Sequence, residues 1–278
     1  MINFRKFEAT GNEFLILSLH PCDLSPEQRR WLCDRRRGIG ADGLLHIKQV
    51  GPSSEYRGEE AVYAFEMHYW NADGDVGTFC GNGARVAVWL AYEASQAKRF
   101  FFRAADGAHE GWILNQTPPR VAVSLKLHQA PVPGPNGGFY VHTGSPHLLI
   151  PIQNSETLLA LPLEDVAKPL RWERTYDSQG VNVSFYAPLE EGYAMRTYER
   201  GVEAETLSCG TAAVALAALL DQAIITLYPP GGNLTVTRLN ELTFRLEGPI
   251  SEVIRGEIPA GSPLLLGCDK PLSLHKKA

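Results

Sequence analysis

The strongest constraint on this chain is a repeated pattern. A Cys-Gly pair opening a run of small apolar residues occurs at Cys80-Gly81-Asn82-Gly83-Ala84-Arg85-Val86-Ala87-Val88-Trp89-Leu90. It recurs at Cys209-Gly210-Thr211-Ala212-Ala213-Val214-Ala215-Leu216-Ala217-Ala218-Leu219-Leu220. Roughly seventy residues before each stands a turn beside a β-prone run, Thr10-Gly11-Asn12-Glu13-Phe14-Leu15-Ile16 and Thr143-Gly144-Ser145-Pro146-His147-Leu148-Leu149-Ile150. After the first helix come Phe100-Phe101-Phe102-Arg103 and Val121-Ala122-Val123-Ser124-Leu125, and after the second Leu234-Thr235-Val236-Thr237 and Leu242-Thr243-Phe244-Arg245-Leu246. Their alternation of apolar and polar residues marks strands. Self-similarity on this scale predicts two copies of one supersecondary plan.

The two helices are apolar nearly all round, with Arg85 the exception, and helices of that kind are buried. Strands dominate the remainder. The expected fold is therefore α+β: two pseudo-symmetric domains from an internal duplication, each a curved, antiparallel-rich sheet or barrel wrapped around a central buried helix. With 278 residues, 44% of them hydrophobic, the chain can fill one sizeable core or two linked ones. The Pro- and Gly-rich stretch 131–138 reads as the connecting loop. The expected domains are residues 1–126 plus 258–278, and residues 127–257. A surface helix is expected at Ser25–Leu32, with Ser25 as cap, Pro26 in the first turn and Gln28 completing a capping box. Arg35-Arg36-Arg37 reads as its cationic last turn, and Gly38 as its stop.

Composition narrows the function. The net charge is −5 with no basic stripe, which argues against nucleic acid as a partner. The N-terminus lacks the apolar stretch of a signal peptide, and the longest apolar run, Ala212 to Leu220, is far shorter than a membrane span. A cytoplasmic protein without membrane contact is expected. The cysteines, at 22, 33, 80, 209 and 268, are odd in number and show no C-x-x-C spacing, which disfavours a disulfide scaffold and a zinc site. No metal and no cofactor are expected: Rossmann and P-loop fingerprints are missing, and no lysine stands in a pyridoxal-phosphate context.

The chemistry then falls on the free thiols. Cys80 and Cys209 each stand where a buried helix begins, beside unpaired N–H groups and the positive end of the dipole. Such a setting is expected to lower a thiol pKa from roughly 8.5 towards neutrality. It also holds a carboxylate, which glycine lets approach closely. A duplication that points both helix starts at the junction between domains brings two thiols to one ligand. A proton taken from one face of a carbon and replaced on the other inverts that centre; a single base returning its own proton does not. For one isolated cysteine, burial as a small core residue would explain the position equally well. Two Cys-Gly starts at matched positions favour chemistry. Cys22, Cys33 and Cys268 lack matched partners and read as structural.

These segments resemble the diaminopimelate epimerase family along nearly the whole chain: TGNEF (Thr10–Phe14), DRRRGIGADGLL (Asp34–Leu45), WNADGD (Trp70–Asp75), CGNGARV (Cys80–Val86), TGSPH (Thr143–His147), GVNVSF (Gly180–Phe185) and ERGVEAETLSCGT (Glu199–Thr211). The order and spacing of seven motifs make the resemblance specific. It implies an isomerase, a pyridoxal-phosphate-independent epimerase of a diamino dicarboxylate. That enzyme interconverts LL- and meso-2,6-diaminopimelate for lysine and peptidoglycan-precursor biosynthesis, and the family suggests a homodimer. The resemblance implies that Cys80 and Cys209 are the acid–base pair. The backbone at Gly81, Asn82, Gly210 and Thr211 would hold the reacting carboxylate. Asn12, Asn71, Asn182, Glu199 and Arg200 would bind substrate, and His147 and Glu199 would tune the thiols. Arg200 would grip a second carboxylate. Three departures bear on substrate fit. Ser145 stands where an Asn commonly binds substrate, Gly43 where Gln is often found, and Ala212 where Gly is common. One extra residue precedes Glu205-Thr206. The competing readings are a two-cysteine racemase of another amino acid, a thiol redox protein pairing Cys80 with Cys209, and a non-catalytic binding module.

Overall fold

The structure, a computed structural model, describes residues 1–49, 56–57, 60–61, 63–77, 79–174, 176–259 and 261–262. Cys268, and residues 263–278 of the expected first domain, lie outside the described residues.

The fold is α+β, two similar curved sheets each packed on one apolar helix. In the first half the strands Ile2–Ala9 and Asn12–Leu17 form a hairpin through Thr10 and Gly11, both at positive φ (50° and 92°). The second strand pairs in parallel with Gly43–Gln49, which pairs antiparallel with Phe65–Asn71. The sheet continues through Arg99–Ala104, Gly107–Gln116 and Pro119–Lys126. The second half repeats this order of parallel and antiparallel pairings: Phe139–His142, Pro146–Pro151, Asn182–Pro188, Tyr193–Glu199, Ile224–Tyr228, Leu234–Arg238 and Thr243–Pro249. The two sheets join where Pro119–Lys126 pairs antiparallel with Thr243–Pro249.

Each half also lends the other a strand. Gln129–Pro133 follows the first half but pairs with Phe139–His142 of the second. Ser251–Ile258 follows the second half but pairs with Ile2–Glu8 of the first. Two adjustments follow. The stretch 131–138 is not wholly loop, since its start is ladder and only Pro135–Gly137 is a short 3-10 turn. And the return to the first sheet begins at 251 rather than 258. The division we propose is accordingly 1–126 with 251–258, and 127–250.

Five helices complete the described structure: α1 (Pro26–Cys33), α2 (Gly81–Ser95), α3 (Ser155–Ala160), α4 (Leu163–Arg171) and α5 (Gly210–Leu220). In α1 the capping box forms as expected: Ser25 Oγ accepts from Gln28 N (3.2 Å), and Gln28 Oε1 accepts from Ser25 N (2.8 Å). The helix ends at Cys33, so Arg35–Arg37 lie beyond it. Asp34 draws the chain into a turn by accepting from the amides of Arg36 and Arg37, each at 2.8 Å. A Cβ at Gly38 would overlap the Trp31 carbonyl, which is why the turn needs glycine there.

Helices α2 and α5 lie against the sheets of the first and second halves respectively. Val86, Ala87 and Val88 pack among Phe14, Phe65, Phe102 and Val123; Val214, Ala215 and Leu216 pack among Val141, Leu149, Val236 and Phe244. These residues form one continuous core spanning both halves. Each large apolar side chain buried there contributes roughly 1.5–3 kcal/mol. A separate cluster seats α3 and α4 on the second sheet through Leu158, Leu163 and Ala167. Among the described residues no helix is long and apolar enough to cross a membrane.

Candidate active site

Cys80 and Cys209 are the N-cap residues of α2 and α5, with almost the same backbone: φ −127°, ψ 112° and φ −125°, ψ 109°. Each carbonyl opens its helix, accepting from Ala84 N (2.8 Å) and Ala213 N (3.0 Å). Neither side chain makes an N-cap hydrogen bond, and a helix start presents N–H donors that suit an anion. The two helix starts abut. A Cβ placed on Gly210 would lie 4.0 Å from Gly81 Cα and 3.7 Å from Asn82 Oδ1, ordinary van der Waals contacts, and 2.7 Å from the Leu246 Cδ2 methyl, which would have to give way.

A buried polar network ties the starts together. Asn82 Nδ2 donates to Asn12 Oδ1 (2.6 Å) and to Ser208 Oγ (3.1 Å), the residue before Cys209. Ser208 Oγ also meets Thr10 Oγ1 at 2.7 Å. Arg85 Nη2 donates to Thr10 Oγ1 (2.8 Å) and to Asn82 Oδ1 (2.6 Å). Asn12 Nδ2 reaches Asp42 Oδ2 (3.3 Å), and Asp42 Oδ1 accepts from Arg35 (2.8 Å).

The second half supplies titratable groups. Cys209 Sγ lies 3.3 Å from Thr211 Oγ1, which is 3.0 Å from Nε2 of the fully buried His147. Glu199 Oε1 accepts from Thr206 Oγ1 (2.7 Å). Burial pushes the Glu199 pKa up and pushes that of His147 down to about 3, with the charges of His142 and Arg200 adding to it. Both thiols depart from the expected lowering. Burial drives Cys80 up to about 11, with Glu199 adding to it and the amides of Gly83 and Asn82 opposing. Cys209 is also raised, by burial and by the Glu199 carboxylate. Desolvation of a thiolate outweighs the helix terminus here.

Strand register aligns the halves residue by residue. Phe14 lies beside Gly43, which lies opposite Asn71. His147 lies beside Asn182, which the same register puts opposite Glu199. Thus Asn12 corresponds to Ser145, Phe14 to His147, Gly43 to Asn182 and Asn71 to Glu199. The halves share a backbone and differ in chemistry. At Gly43, where no side chain extends, the space is taken by the Tyr69 ring, whose hydroxyl donates to Asp42 O at 3.3 Å.

The remaining expected residues form a linked group on the second sheet. Asn182 Nδ2 donates to Ser145 Oγ (2.6 Å) and to Pro146 O (3.0 Å), while its Oδ1 accepts from Arg200 N (2.8 Å). The Asn182 side chain is thus engaged within the protein. Arg200 Nη1 donates to Asp177 Oδ1 (3.2 Å) and to Gly180 O (3.3 Å). Asn71 sits at a strand end, its Oδ1 close to where a Gly77 Cβ would be. Sequence reasoning did not single out Thr10, Tyr69, Thr206 or Ser208. The last stands directly before a repeated Cys-Gly, a signal that was there to be used. Among the described residues no three His, Cys, Asp or Glu side chains group to hold a metal ion.

With this geometry in hand, comparison with known proteins is informative. The family model for diaminopimelate epimerase matches residues 6–123 and 139–241. A diaminopimelate epimerase of Hydrogenobaculum sp. is 33% identical over 90% of this chain and 96% of its own length. That of Mycolicibacterium smegmatis is 35% identical over 92% of this chain and 96% of its own. Among solved structures, a phenazine biosynthesis protein of the PhzF family from Bacillus anthracis superposes with TM-score 0.69 at 15% identity, over 93% of this chain and 99% of that one; this likeness concerns the fold. A match over most of the chain, in the order of its sequence motifs, makes this protein a member of the diaminopimelate epimerase family and an isomerase.

Proposed function

We propose that the protein interconverts LL- and meso-2,6-diaminopimelate without a cofactor, Cys80 and Cys209 serving as base and acid on opposite faces of one α-carbon. The observation that carries this reading is the abutment of two helix starts, each with a cysteine of matching backbone at its N-cap. The substrate carboxylate would accept from the amides at Gly81-Asn82 and Gly210-Thr211. Negative charge developing on the α-carbon and its carboxylate in the transition state is stabilised by those same dipoles, which are fixed before reaction. One thiolate removes the α-proton, and the opposite thiol delivers its own to the other face. The pair then stands with its proton exchanged, ready for the reverse reaction. Asn12, Asn71, Ser145, Asn182, Glu199 and Arg200 would bind the substrate, Arg200 gripping its second carboxylate. The reading extends to lysine and peptidoglycan-precursor biosynthesis in the cytoplasm, by a homodimer.

The engagement of Arg200 by Asp177 favours keeping a second reading, a two-cysteine racemase of another amino acid. Incubating the reduced protein with LL-diaminopimelate and resolving the stereoisomers by chromatography separates the two. The meso isomer should form, Cys80→Ala should stop its formation while the substrate still binds, and Arg200→Ala should lower turnover at least tenfold. Lack of meso product from wild-type protein would remove the proposed reaction. Undiminished turnover by Cys80→Ala would remove the thiol mechanism.

A further inference from the structure

Two neighbouring strands of the second sheet end at the same edge. Asn182–Pro188 and Tyr193–Glu199 pair with Val183 opposite Tyr198. The segment that enters at Asn182 and the turn that leaves after Glu199 therefore stand side by side. Arg200 spans the gap between them: its amide donates to Asn182 Oδ1, and its guanidinium to Asp177 Oδ1 and Gly180 O. A second arginine spans the same two segments. Arg171, the last residue of α4, is buried. Its Nη1 donates to Gln179 O (2.8 Å), while its Nε and Nη2 both donate to Glu203 Oε1 (3.0 and 2.6 Å). Its carbonyl accepts from Val181 N (3.0 Å), and a Cβ on Gly180, at φ 75°, would overlap that carbonyl oxygen. The far end of the bridge is as closely tied. Glu203 N donates to Glu199 O (2.9 Å), Glu203 Oε1 also accepts from Gly201 N (3.0 Å), and Glu203 O accepts from the buried Tyr198 hydroxyl (2.7 Å). Glu203 stands at φ 58°, a left-handed conformation that residues with a side chain rarely adopt. It lies in the turn that carries the one extra residue before Glu205-Thr206.

We propose, resting on the reading of Arg200 as the grip on the second carboxylate, that Arg171 and Glu203 are positioning residues for that grip. Their ion pair clamps the lengthened turn after Glu199 to the segment Asp177–Val181, and so sets where the Arg200 guanidinium stands. The physical reason lies in the asymmetry of the pair. The guanidinium is buried and the carboxylate is at the surface, so losing the carboxylate leaves a buried cation uncompensated. The planar fork reaches both segments at once, one edge to Glu203 and the remaining nitrogen to Gln179 O, a geometry that a lysine ammonium cannot reproduce. When the clamp opens, both walls around Arg200 move, and its bonds to Asp177, Gly180 and Asn182 no longer fix one position.

The test uses the full-length reduced protein and Glu203→Gly, which removes the carboxylate and suits the positive φ. Hydrogen exchange read by peptide mass spectrometry should quicken about tenfold or more at residues 178–181, on the segment that was not altered, because exchange reports local opening. Steady-state kinetics should show KM for LL-diaminopimelate rising about tenfold with kcat within about twofold, the pattern of binding lost equally in ground and transition states. In an Arg200→Ala background the same substitution should change kcat/KM by less than about twofold, since it acts through Arg200. Arg171→Lys should reproduce the pattern, and it decides if Glu203→Gly does not fold. Quickening confined to residues 199–204 overturns the inference. So does an unchanged KM in the folded variant, or an effect that adds in full to that of Arg200→Ala. A wild type that leaves LL-diaminopimelate unchanged removes the proposed reaction, and the exchange result then decides the clamp by itself.

Discussion

At the scale of single residues, His147 shows how far burial governs this site. Its Nε2 lies by Thr211 while Nδ1 is buried without a partner, and its pKa falls to about 3. The unfolded chain binds that proton near the ordinary value of about 6.5. Between the two values the unfolded state holds more protons, so stability is full above about pH 6.5 and drains away as pH falls towards 3. Urea unfolding at pH 7.5 and pH 5 should show wild type losing about 2 kcal/mol more than His147→Gln, at about 1.4 kcal/mol per unit. Equal losses would mean that His147 is not held neutral. The same force explains a reversed expectation. A cysteine at a helix start reads in sequence as an acidic thiol, yet its surroundings are set by residues far along the chain, and Glu199 adds to the rise at Cys80.

At the scale of elements, the paired helices α2 and α5 were legible because their composition is unmistakable: mostly small and apolar nearly all round, Arg85 apart, each announced by Cys-Gly. The cap of α1 was equally plain, since Ser25 and Gln28 act within one turn. Local rules failed where a competing local bond intervened. Asp34 turns the chain before the arginine run can continue α1. The Pro-rich connection is partly ladder because Phe139–His142 offers it an edge. The close approach of the helices can be tested at Gly210. An added methyl presses on the end of the Leu246 side chain and touches the start of α2, so Gly210→Ala should cost about 1 kcal/mol, the low end of overpacking. It should also lower kcat/KM by about 100-fold, the effect of roughly 1 Å of misplacement. Chemical denaturation and steady-state kinetics report the two separately. Unchanged kinetics in the folded variant would show that the helix starts need not abut for turnover.

At the scale of the whole molecule, the duplication was written in the sequence and the exchange of final strands was not. Nothing in the sequence of Ser251–Ile258 assigns it to a half; only its pairing with Ile2–Glu8, some 250 residues away, places it in the first sheet. That exchange, with the seam between Pro119–Lys126 and Thr243–Pro249, holds two half-sites in one frame and brings cysteines from separate halves to a common junction. The family resemblance named the site residues, but residue spacing alone left open that Asn182 is satisfied by Ser145 and Arg200, because those bonds join distant strands and loops. The account stands on proton delivery from the face opposite to removal, and deuterium labelling reads this directly. In deuterated water, at early times, newly formed meso-diaminopimelate should carry one solvent deuterium at the inverted carbon, while recovered LL substrate carries none. Product that retains its original hydrogen at that carbon would contradict a pair of opposed thiols.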